Sequence, residues 1–246
     1  MKKRLACLGL VFLFGVAAFG FAGCWESPFQ DAVAPAESNT SRQQSDTFSM
    51  ETLFLEETIS AEYPQFQDSG YDVENAFLRR TVEEVVRVNL VEPTAETSTA
   101  LTGEVTYWDG AILCFVLEGL WNDSSAAHPI HFWEPILMDL ERQTLISLAD
   151  LMPLENEFLL SFRQAYQEQI VFRLEEKLQM DLSQDADALQ QWLEGYSDEA
   201  IRSDLSLTAQ NPGRSFRGFF TETAVGISVY IPHALGDHVE IYLQRE

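Results

Sequence analysis

The chain has 246 residues, 46% of them hydrophobic, with 39 acidic against 15 basic side chains and a formal charge of −24. That length is enough for one large domain or two small ones with a buried core. The charge repels nucleic-acid phosphates and anionic lipid headgroups, which sets a nucleic-acid role aside and leaves two readings, a cationic partner or plain solubility.

Lys2, Lys3 and Arg4 precede an apolar run from Leu5 to Phe21, and Ala22-Gly23 then leads to Cys24 and a polar stretch. This is the order of a secretory signal: basic start, apolar middle, small residues at the cut. A cysteine directly after the small pair resembles the bacterial lipoprotein signal, in which the thiol takes a diacylglyceryl group. The expectation is a signal peptide over 1–23, lipidation at Cys24, and a protein anchored at the bacterial cell envelope outside the cytoplasm. The competing reading is an uncleaved membrane-spanning anchor, since the run approaches spanning length. Gly15, Gly20 and the lack of a basic cluster after Cys24 argue against it. Losing Lys2, Lys3 and Arg4 with the leader takes the formal charge from −24 to −27.

Residues 24–50 read as the lipidated cysteine and a flexible linker rich in Pro, Ala, Glu, Ser, Thr and Gln. Thr52–Leu55 suggests a first strand that ends before Tyr63-Pro64. Asp72 is placed to cap a helix running to about Leu90, with Val73, Phe77, Thr81, Val85 and Val88 along one face. Glu104–Trp108 and Ala111–Leu120 form the clearest hairpin, joined by Asp109-Gly110. The second run is apolar on both faces and reads as a central strand. Cys114 lies in it with no partner for an internal disulfide, which points to a buried structural thiol. A further strand spans about Ala127–Leu140, and Pro135 within it predicts a bulge or kink.

The longest helix follows Met152, with Pro153 in its first turn and Glu155 and Glu157 suited to its dipole. Phe158, Phe162, Tyr166, Ile170, Leu174 and Leu178 recur every four residues in one slowly drifting stripe. A second helix starts at Asp181 or Ser183 and runs through Trp192. Strands near Phe216–Thr221, Val225–Ile231 and His238–Leu243 close the chain. The fold class expected is α+β: antiparallel sheets packed against a few helices, as two small consecutive modules over 51–125 and 126–246.

Three segments carry a resemblance. They are Ala127-His128-Pro129 with Met138-Asp139-Leu140 and Leu148–Met152, the long helix after them, and Gly226–Val239 with its Ile231-Pro232-His233 and Gly236-Asp237-His238. Together they resemble domain-of-unknown-function family 3298, the outer, lysozyme-responsive module of anti-sigma-V factors. Tyr63-Pro64 and the helix after it look like the companion module that often precedes it. The resemblance covers roughly residues 50–246 and implies a two-part extracytoplasmic unit whose best-understood role is protein binding. An anti-sigma factor also needs a cytoplasmic domain and a spanning helix, and only a few residues precede the leader here, so signalling of that kind is not expected. Lysozyme is basic, which matches the charge of this chain. No binding residue is carried over from the family.

The candidates for chemistry are few. Trp121, Phe132 and Trp133 flank the polar loop Asn122–Ser125 and are placed to contact a sugar chain or anchor a protein partner, unless they pack in the core. His233 and His238 flank the turn Ala234–Asp237, where with Asp237 they either form a small site or, with His233 as anchor, hold the turn around Gly236. His128 and His131 are three apart in a strand and point to opposite faces, which is poor metal geometry. Arg214 and Arg217 are a basic spot expected to pair with local carboxylates. The many adjacent acids read as solvated surface, not a catalytic pair. There is no nucleophile elbow, phosphate loop, zinc motif or calcium loop, and no cofactor is expected. The preferred reading is a lipid-anchored binding protein with no enzymatic activity, whose expected partner is a cationic protein such as a lysozyme. The alternatives are an envelope enzyme acting on peptidoglycan or another glycan, and a purely structural lipoprotein.

Overall fold

Residues 47–56, 58–90, 98–122 and 129–245 are described by a computed structural model. The signal segment 1–23, Cys24 and most of the linker lie outside the described residues, as do Pro93, the loop residues 123–125 and His128. The fold is α+β, with a six-stranded and a three-stranded sheet.

A hairpin opens it, β1 (Phe48–Glu56) and β2 (Ile59–Phe66), where one strand over Thr52–Leu55 was expected. Phe48 already belongs to β1, so order begins inside the span read as linker. Tyr63-Pro64 lies within β2 and does not follow it. Proline is tolerated there because the Phe66 amide, two residues on, points away from β1 and donates to Asn75 Oδ1 at 2.8 Å. The Pro64 nitrogen faces the same outer side, where no ladder bond is lost.

Helix α1 (Asp72–Asn89) returns the chain so that β3 (Ser98–Trp108) runs parallel to β2. This is a departure from the antiparallel expectation, confined to one pair. Asp72 is the first helical residue and Tyr71 takes the cap position without a side-chain bond. The buried stripe is Phe77, Leu78, Thr81, Val82, Val85 and Val86, while Val73 and Val88 are exposed. Four-residue steps drift about 40° each, so Val73 lies well off the centre of the buried face.

β3 and β4 (Ile112–Asn122) form the expected hairpin. The two central residues are Gly110, with φ +101°, and Ala111. Asp109 sits one place earlier and its Oδ1 accepts from the Ala111 and Ile112 amides at 2.9 and 2.8 Å. β4 is interior, between β3 and β5 (Ile130–Asp139), and β6 (Thr144–Leu145) completes the sheet. The pairing of β4 with β5 carries the sheet across position 125. Pro135 makes no bulge: the register runs unbroken through Val116 and Pro135. The His131 amide points outward, to Asp237, so the Pro135 nitrogen also faces the outer edge of β5.

The short helix α2 (Leu148–Leu151) is held by a Ser147–Asp150 capping box. It leads to α3 (Asn156–Leu178), α4 (Ala186–Trp192) and α5 (Asp198–Leu205). α5 was not anticipated; its cap is Ser197, whose hydroxyl accepts from the Ala200 amide. The second sheet is β7 (Phe216–Phe220), β8 (Ala224–Tyr230) and β9 (His238–Gln244).

Alternation along β4 and β5 builds two cores. Leu113, Phe115, Leu117, Ile136 and Met138 face α1. Cys114 and Leu137 face the other way, toward α3 and the second sheet, where Phe162, Tyr166, Ile170 and Leu174 of the long stripe are buried. Burial pushes the Cys114 thiol up to about 11, in keeping with a structural thiol. Among the described residues no helix is long and apolar enough to cross a membrane.

Candidate functional site

The outer edge of β5 faces the turn between β8 and β9, and a cavity of about 430 Å³ lies between them. It gathers the four residues singled out from the sequence, Trp121, Trp133, His233 and Asp237. The turn is tight because Gly236 and Asp237 both have positive φ, +96° and +70°. Glycine adopts this freely, and aspartate is among the residues that tolerate it. Asp237 is then aimed at β5. Its Oδ2 accepts from the His131 amide at 2.9 Å, and its Oδ1 lies 2.9 Å from His233 Nδ1. The carboxylate thus caps an exposed strand edge and holds the His233 ring.

Behind the cavity runs a chain of ionisable groups. Glu118 Oε1 lies 2.9 Å from His131 Nε2, and His131 Nδ1 lies 2.8 Å from His238 Nε2. His238 Nδ1 in turn contacts Glu240. Lys177 of α3 closes the group by donating to the carbonyls of His238 and Gly236 at 2.7 and 3.2 Å. Trp133 stacks on His238 with ring centroids 5.3 Å apart. Burial holds the His238 imidazole below its usual range, against the pull of Glu240. Hydrogen bonding to His131 lowers the Glu118 carboxyl. The Glu240 carboxyl is also low, because His238 and Lys177 outweigh its burial.

All three groups therefore hold fewer protons folded than unfolded, so stability must fall as pH falls. The expected loss has two stages on acidification. The His238 stage begins below the ordinary imidazole value of about 6.5, and the carboxylate stage below about 4.5. Urea midpoints between pH 7.5 and 4 read it, and His238→Phe should flatten the upper stage and also shrink the lower one, because His238 helps hold the Glu240 carboxyl down. An unchanged upper stage in that variant assigns it elsewhere.

At the floor of the cavity, Glu134 is 1% exposed and lies between two guanidinium groups. Arg214 Nη2 pairs with its Oε1, and Arg217 Nε lies 3.0 Å from its Oε2. Burial pushes the Glu134 carboxyl up and the Arg214 guanidinium down, each opposed by the other's charge. The basic spot read from the sequence does pair with a carboxylate, one 80 positions away from Arg214. Among the described residues no group of three or more His, Cys, Asp or Glu is arranged to hold a metal ion.

A second concavity, a groove of about 990 Å³, was not anticipated. It runs between α3 and the β9 end, past the β3–β4 turn. Its floor is apolar, with Ile112, Met152, Phe158 and Val225, and Asp109, Glu155, Glu157 and Glu168 stand along it. Glu155, Glu157 and Glu168 are exposed. Although burial raises Asp109, the Ile112 and Ala111 amides and the Tyr107 hydroxyl hold it below its usual range. Among the described residues the one lining cation is Arg245, stacked over Tyr107 and Phe220, 4.9 and 5.1 Å from the ring centroids. The acids come from a turn and from two turns of one helix, so no local spacing rule groups them.

No protein-family model matches the chain, and no curated protein matches it. Among solved structures it is similar to a DUF3298 family protein from Pseudomonas aeruginosa PAO1, at 14% identity and TM-score 0.44, over 80% of this chain and 88% of that one. It is also similar to a member of the same family from Bacteroides fragilis NCTC 9343, at 12% identity and TM-score 0.37, again over 80% and 88%. That family is the one the sequence segments resemble.

Proposed function

We propose that this chain is an extracytoplasmic binding protein, anchored by lipid at Cys24, whose partner is a cationic protein of the lysozyme type. The observation that carries the reading is the groove beside α3. An apolar floor of that size with four carboxylates and one stacked guanidinium suits a basic, amphipathic surface element. The chain's formal charge of −24 would steer such a partner toward it.

Calorimetric titration of residues 25–246 with a lysozyme tests this at low and at physiological salt. Binding that persists at physiological salt is expected. Binding at low salt alone is charge attraction without an interface, and sinks the reading, as does no binding at all. Glu157→Lys with Glu168→Lys should weaken binding at least about tenfold, some 1.4 kcal/mol, because both reversals place like charge against the partner. Both side chains are exposed, so the fold is spared. Cys24→Ser should release the protein from the membrane and leave the affinity unchanged.

A further inference from the structure

The cavity at the β5 edge is separate from the groove, and its chemistry differs. Its walls carry Trp121, Phe132, Trp133 and Tyr230. The buried groups there with spare hydrogen-bonding capacity are donors. The Trp121 indole nitrogen is buried and has no acceptor among the described residues. Arg217 reaches Glu134 Oε2 through Nε at 3.0 Å, which leaves its Nη groups without a hydrogen bond among the described residues. The two carboxylates there are already engaged: Glu134 by Arg214 and Arg217, Asp237 by the His131 amide and the His233 ring.

This set narrows the occupant. Unpartnered donors call for an oxygen acceptor, which a cationic group does not supply. The charges around the floor do not call for an anion, since Arg214 and Arg217 are matched by Glu134 and Asp204, and Asp237 adds another negative. Aromatic walls call for a ligand with a flat apolar face. A neutral, oxygen-rich ring with C–H faces meets all three conditions. We infer that the cavity is a saccharide site, in which the Trp121 N–H and the Arg217 guanidinium donate to sugar oxygens and the aromatic side chains pack on the ring. The site is independent of the groove, so either reading can fail without the other.

The test uses the full chain in a zwitterionic detergent, free of sugar headgroups. Tryptophan fluorescence and saturation-transfer NMR are recorded with chitobiose, chitotriose, cellobiose and maltotriose, and pull-down with insoluble chitin and cellulose. The expected result is saturable binding of at least one sugar with a Kd of about 1 mM or tighter. Binding of short sugars points to free saccharides as the source, and binding of the polymers alone to a glycan chain. Trp121→Phe keeps the aromatic body and deletes the donor. Tyr230→Ala removes a half-exposed wall residue (44% exposed), so it leaves the fold intact. Each should weaken binding at least about fivefold, or about 1 kcal/mol. No saturable signal with any sugar overturns the inference, and so does binding that both variants leave unchanged.

Discussion

Glu134→Ala is expected to cost about 3–5 kcal/mol of folding stability, the range for breaking a buried ion pair from one side. The alanine leaves two guanidinium groups without the carboxylate they contact, and only the charge of Asp204 still acts on Arg214. Arg214, 5% exposed, would keep its bonds to the carbonyls of Asn211 and Leu207 at 2.9 and 3.4 Å, but those do not neutralise it. Arg217 would lose the one carboxylate it contacts among the described residues. A loss of that size is a large part of the stability of a typical domain. Urea denaturation reads it as a drop in midpoint at unchanged slope. A second arm separates the cost of orphaned charge from the worth of the trio. Replacing Glu134, Arg214 and Arg217 together with apolar residues of similar volume should come out far less destabilising than Glu134→Ala alone. A single-variant loss below about 1 kcal/mol would show that water reaches the pair and screens it.

The second large effect sits one layer deeper. Gly226 pairs across the sheet with Phe219, and a Cβ at 226 would come within 2.1–2.4 Å of the outer carbons of the phenyl ring. The ring has nowhere to go. Trp133 and Tyr242 meet it edge-on with centroids at 5.2 and 5.7 Å, and Phe219 is 2% exposed. Gly226→Ala should therefore cost about 1–3 kcal/mol, the usual range for overpacking. It should also displace Trp133, which stacks on His238 and lines the cavity, so the tryptophan emission should shift in the folded state. Phe219→Leu makes room. The double variant should lose less than the sum of the two singles, since the residues touch. Additivity within about 0.5 kcal/mol would refute the clash.

Much of the secondary structure was legible because it follows from local periodicity. The apolar run Ile112–Val116 reads as an interior strand because both of its faces are apolar, and β4 does bury one face on each core. The long stripe from Phe158 to Leu178 marks α3, and the three closing strands fall within a residue or two of where alternation puts them. The two prolines misled for one reason. Whether a proline breaks a strand depends on whether its nitrogen faces a neighbouring strand. At Pro64 and Pro135 it faces outward, and nothing within a few residues encodes that.

The candidate site was legible only in part. His233 and Asp237 were visible because one precedes and the other ends the four-residue turn Ala234–Asp237, and Trp121 and Trp133 because large aromatics flank a polar loop. Glu118, His131, Lys177 and Glu240 were not grouped. Each has an ordinary local explanation, as a strand position or a basic residue in a last helical turn. The contact between His131 and His238 joins residues 107 positions apart, and Gln169 reaches the Tyr242 backbone across 73.

By itself, then, the sequence determined the fold class, the acidic character, the long helix, the interior strand and the turn at Gly236. These rest on backbone preferences and on patterns repeating every two or four residues. Tertiary structure decided the parallel pairing of β2 with β3, the burial of Glu134 between two arginines, the histidine chain and both concavities. Each depends on which faces of distant elements meet, and that is set by packing the two cores on opposite sides of one sheet.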